Sequence, residues 1–84
     1  MTGKKIKVER VQTGVRIEKR MLKVLKAMAE YHDISLGDLL EGIVLYAFEG
    51  QSPFDDDSIK RIGALKDIYG MDYDASAAHH FIEE

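Results

Sequence analysis

From Leu36 to Phe48 the chain reads as a helix that is apolar nearly all the way round: Leu36, Leu39, Leu40, Ile43, Val44, Leu45, Tyr46, Ala47 and Phe48 leave only Gly37, Asp38, Glu41 and Gly42 polar or small. Such a helix needs cover on more than one side. The rest of the chain is short, 84 residues with no cysteine, and a domain this small buries only roughly 60–65% of its unfolded surface. Without disulfides or a zinc-ligand spacing, the remaining way to complete a core is a partner subunit, so the sequence predicts a homodimer. Gly42 costs ~1 kcal/mol against alanine in mid-helix and is most simply explained if another backbone or a bulky side chain approaches there.

The flanking segments have clear periods. Val11, Thr13, Val15 and Ile17 alternate with Gln12, Gly14 and Arg16, which predicts a strand with one buried face. Upstream, Ile6 and Val8 have the opposite parity, so residues 1–9 read as a bulged continuation or a basic arm. Helical spacing follows in Met21, Leu22, Leu25, Met28 and Ala29, predicting a helix from about Lys19 to Tyr31. Ser35, with Asp38 three residues on, marks the start of the apolar helix, and Gly50 marks its stop. Beyond Gly50, Asp57 or Ser58 caps a third helix with the stripe Ile59, Ile62, Leu65, Ile68 and Tyr69, ending at Gly70 and expected to cover the outer side of the second helix. Asp72 or Asp74 caps one last turn.

Charge is sorted along the chain. Residues 1–26 hold nine basic and two acidic residues, a formal +7; residues 27–84 hold three basic and thirteen acidic, a formal −10. A basic end that alternates like a strand, joined to an acidic helical body, points to a polyanion as partner. No apolar run approaches the ~20 residues of a membrane span. The start of the chain lacks a signal-peptide core, so the expected location is the cytoplasm.

The strand Thr13–Ile17, the helix bearing Met21, Leu22, Leu25, Met28 and Ala29, the turn Ile34–Ser35, and the helix bearing Leu39, Leu40, Ile43, Val44 and Ala47 together resemble the ribbon-helix-helix family of DNA-binding proteins, the class of the Met and Arc repressors. The likeness spans about residues 11–50. It implies a mainly α fold class in which one amino-terminal strand pairs antiparallel in an intertwined homodimer, here with an additional carboxyl-terminal helix. The segments are then a basic arm over 1–9, a dimerisation and DNA-binding domain over 10–50, and an acidic helical extension over 51–84.

The resemblance implies a transcriptional regulator, a repressor, whose paired strands enter the major groove of double-stranded DNA. Gln12, Gly14 and Arg16 would face base edges; glutamine matches adenine and arginine matches guanine, while Gly14 offers no side chain. The family also seats a phosphate on the amino end of the second helix, here Ser35, Leu36 and Gly37, where free N–H groups and the helix dipole favour an anion. Lys4, Lys5, Lys7 and Arg10 would add backbone contacts without sequence information. Many members have a glycine where the first helix ends; this chain has His32 and Asp33.

A second reading keeps the same dimer but makes residues 51–84 a docking segment for a protein partner, as in ribbon-helix-helix antitoxins. The tail supplies no metal signature, because the adjacent His79 and His80 point apart on a helix and have no ligand one turn away. Asp55, Asp56 and Asp57 lack the alternating spacing of a calcium loop. No cofactor motif is present, and no nucleophile with an orienting base, so the chain does not read as an enzyme.

Overall fold

A computed structural model describes residues 5–83. Three α-helices follow one another: α1 over Lys19–His32, α2 over Leu36–Phe48 and α3 over Asp56–Tyr69, with a single 3-10 turn over Ala75–Ala77 near the end.

The beginning of each helix is fixed by an acceptor side chain. Glu18 caps α1, accepting from the backbone N–H groups of Arg20 and Met21 at 3.1 Å each. Ser35 Oγ caps α2 through Asp38 N–H at 3.0 Å. Asp55 caps α3 through Ser58 N–H at 2.8 Å, two or three residues earlier than the Asp57 or Ser58 expected from the sequence. Asp74 caps the last turn through Ser76 N–H at 3.0 Å. Each cap satisfies a backbone donor that has no partner within its helix.

The end of α1 answers the missing glycine. Asp33 takes the left-handed conformation, φ 58° and ψ 43°, and its N–H reaches back to the carbonyls of Ala29 and Glu30. Ile34 N–H also reaches Ala29, at 3.0 Å. A short polar side chain tolerates this backbone better than a branched one, so aspartate fills the position usually held by glycine. Gly70 does the same for α3, at φ 69°.

The strand expected over Val11–Ile17 is not there. The chain is all-helical, with no strand among the described residues, and this corrects the ribbon-helix-helix fold class and its antiparallel pairing in an intertwined homodimer. Val11 and Val15 are 80% and 74% exposed, so neither face of the alternating segment is buried. Among the described residues the first backbone hydrogen bond along the chain is Leu22 N–H to the Glu18 carbonyl, 3.0 Å. The physical reason is that a helix satisfies its own backbone whereas a strand needs a neighbouring one, and among the described residues no ladder forms with residues 11–17.

The core is centred on α1. Val24, Met28 and Ala29 of α1 and Leu39 of α2 are buried, with Met28 at 1% exposure the most enclosed side chain. Leu25, Ile43, Phe54, Ile62, Leu65 and Met71 pack around them. The expected stripe of α1 omits Val24, which is buried in the core cluster that Ile62 and Leu65 of α3 pack against. Contrary to expectation, α3 covers α1 and not the outer side of α2, and the backbones of α2 and α3 do not come together. Ile62 and Leu65 meet the core, while Ile59 and Ile68 remain exposed. Arg61 lies over the ring of Tyr31, 3.7 Å from its centre, and ties α3 to α1 a second time.

The all-round apolar character of α2 is left unmet within one chain. Leu45 and Phe48 are 65% and 81% exposed, and Val44 and Tyr46 are also open. A Cβ built at Gly42 would meet nothing within 4 Å. The close neighbour that its glycine suggests is therefore not supplied by the described residues.

Candidate nucleic-acid interface

The basic residues fall into two connected sets. Lys5, Lys7, Arg10 and Arg16 lie exposed along the segment that precedes α1. Lys19, Lys23 and Lys26 continue onto α1, also exposed; at intervals of four and three they form one stripe along its surface. Lys4, assigned to phosphate from the sequence, lies outside the described residues.

Arg10 and the amino end of α2 are brought together. A groove of about 790 Å³ is lined by Arg10, Val11 and Thr13 from the segment before α1 and by Ser35 and Gly37 from the start of α2, so two of the sequence-assigned phosphate positions share this groove with Arg10. The same groove holds carboxylates the sequence reading did not place there: Glu9, Asp38 and Glu41. Arg10 makes a fork-to-fork contact with Glu41, Nε to Oε2 and Nη2 to Oε1 at 2.9 Å each. That hydrogen bond holds the Glu41 carboxyl below its usual range and raises the Arg10 guanidinium. Gly37 stands open, with only Ser35 Oγ at 4.0 Å from where a Cβ would be. Leu36, the third member of the assigned phosphate seat, is half-buried at the first position of α2.

The residues assigned to base readout are all in solvent. Gln12 and Gly14 are exposed, and Gly14 has nothing within 4 Å of a Cβ position. Arg16 is exposed but ion-paired with Glu83. They stand on a segment without strand geometry, so the alternation that assigns them to a single face fixes no face in this chain.

Arg20 is the residue that the sequence reading undervalued. Its Nη1 donates to the Gly70 carbonyl at 2.8 Å and to Asp72 Oδ1 at 3.2 Å, and its Nε donates to Glu18 Oε2 at 3.1 Å. The guanidinium also lies 5.5 Å from the ring centre of Tyr73. The Tyr73 hydroxyl donates to Glu18 Oε1. These contacts join the start of α1 to the segment after α3. The hydrogen bond from Tyr73, supported by the Arg20 and Met21 donors, pulls the Glu18 carboxyl down to about 2. Burial, then the hydrogen bond to Glu18, pushes the Tyr73 hydroxyl up to about 12. Glutamate is not among the favoured helix caps, and the partners lie some fifty positions apart, so neither local pattern nor spacing announces this cluster.

A second cleft, of about 500 Å³, runs between α1 and α3 and is lined by Lys19, Arg20, Lys23, Ile68 and Tyr69, with Glu18 at its edge. Lys23 Nζ lies 5.8 Å from the centre of the Tyr69 ring. The stripe of α1 thus borders an aromatic and apolar wall. Among the described residues no helix is long and apolar enough to cross a membrane. No family model matches the chain, and no curated protein or solved structure matches it either.

Proposed function

We propose that this chain is a DNA-binding regulator that grips double-stranded DNA with the basic segment ahead of α1 and with the lysine stripe of α1. The carrying observation is the continuity of those two sets: Lys5, Lys7, Arg10 and Arg16 run directly into Lys19, Lys23 and Lys26, all exposed. Neutralising several phosphates with these cations releases condensed counterions and supplies affinity for any duplex. Base preference comes from Gln12 and Arg16, the side chains of the segment with bidentate chemistry suited to adenine and guanine.

The active form in this reading is a pair of chains joined through α2. The chain exposes 7634 Å², against about 5,000 Å² for a folded monomer of its mass. That excess of about 2,600 Å² includes the open segment of residues 5–16 as well as the outer face of α2. Apolar Val44, Leu45 and Phe48, with the open flank of Gly42, supply a patch suited to a second copy.

The test is duplex binding followed by fluorescence anisotropy across a salt series. Affinity is expected to fall linearly on a logarithmic salt scale, and Lys5→Ala or Lys23→Ala to flatten that slope by about one unit each. Arg16→Ala is expected to cost ~1–3 kcal/mol on a selected sequence and less on random duplex. Binding that is indifferent to salt, or lysine variants with the parent's slope, would refute the reading.

A further inference from the structure

We propose that the acidic carboxyl-terminal segment is an intramolecular competitor of nucleic acid, a clasp over residues 71–83 that occupies Arg16 and Arg20 until a polyanion displaces it. The inference rests on the DNA-binding reading above and adds a built-in restraint to it.

The arginines and the lysines of the basic half are treated differently by the fold. Arg10 is paired with Glu41, Arg16 with Glu83, and Arg20 with Glu18 and Asp72. Lys19, Lys23 and Lys26 form no ion pair among the described residues. A guanidinium presents the same fork to a carboxylate as to a phosphate, so each of these pairs occupies donors that a duplex would use.

The segment is anchored on the core at one end and held by solvent-exposed contacts at the other, as a displaceable element requires. Met71 packs on the core. Tyr73 is held by Glu18 and lies under Arg20. Beyond the 3-10 turn, His79 adopts a left-handed backbone at φ 68°, and the chain returns so that Phe81 meets Tyr73 edge-on, ring centres 5.0 Å apart. Glu83 is thereby delivered to Arg16, where both side chains are largely solvent-exposed. Exposed pairs of this kind are weak individually, so the clasp reduces affinity without abolishing it.

The double variant Asp72→Asn/Glu83→Gln removes both carboxylates and keeps their hydrogen-bonding shape. On a mixed-sequence duplex at low ionic strength it is expected to bind about three- to tenfold tighter than the parent. The control Glu30→Gln/Asp67→Asn removes the same charge from carboxylates that form no ion pair among the described residues, and is expected to gain less than twofold. A chain ending at Ala78, lacking Phe81 and Glu83, should reproduce much of the gain. Equal affinities for the two double variants, or no gain in the shortened chain, would overturn the clasp while leaving DNA binding intact. A parent without salt-dependent duplex binding would overturn the function reading and the clasp together.

Discussion

Single residues set the pH behaviour of this molecule. Glu18 caps α1 and accepts from Tyr73, and its carboxyl falls from an ordinary 4.5 to about 2 in the folded chain. Its contribution to stability is complete above the ordinary value and is lost as pH falls from there towards 2. Tyr73→Phe removes the largest cause of that depression. The thermal midpoint of the variant, lower than the parent's near neutrality, is expected to decline less steeply between pH 4.5 and pH 2, measured by circular dichroism. Tyr73 itself acts at the other extreme: its neutral hydroxyl is favoured in the fold, so its contribution is complete below pH 10 and lost as pH rises towards 12. Parallel acid limbs in parent and variant would show that Glu18 owes its acidity to its backbone donors.

At the scale of elements, the helices were readable because a helix is a local object. Ser35 and Gly50 bracket α2 as their chemistry requires, and the apolar spacing places α1 within a residue of where it forms and the start of α3 within three. The segment Val11–Ile17 shows the limit. Alternating polarity reports a strand only when something pairs with it, and composition cannot show whether a pairing segment exists. The direction taken by α3 was equally hidden, since Ile62 and Leu65 suit α1 or α2 on hydrophobicity alone. For the interface, the sign and position of the charge were legible, whereas its carboxylate partners were not: Glu41, Asp72 and Glu83 reach the arginines only through the fold. The packing of α3 on α1 has a measurable consequence. Truncation after Gly50 removes Ile62, Leu65, Phe54 and Met71 from the core and is expected to cost about 3–5 kcal/mol, enough to unfold so small a chain. A truncated chain that keeps its helical signal and its melting midpoint would mean that the contacts of α3 contribute little.

For the whole molecule, the decisive quantity is the apolar surface left on α2. Sedimentation equilibrium is expected to return twice the chain mass. Gly42→Ala then separates the two possible states of that surface. In an isolated chain the change only improves the helix, by ~1 kcal/mol, because nothing lies within 4 Å of the new carbon. Between two packed helices the same carbon takes up space at the contact, so the variant is expected to shift mass towards the monomer. A variant that melts higher with unchanged mass would place the self-contact elsewhere.

The arrangement of the helices also governs how the molecule can come apart. Since α2 and α3 each rest on α1 and their backbones do not meet, they are two leaves on one post. Either leaf has a route to swing free while the other stays seated, which makes partial opening a two-sided process instead of a single cooperative event. Whatever settles on the outer face of α2 steadies that leaf directly, and its influence on the opposite leaf is carried through the side chains of α1, with Met28 at their centre.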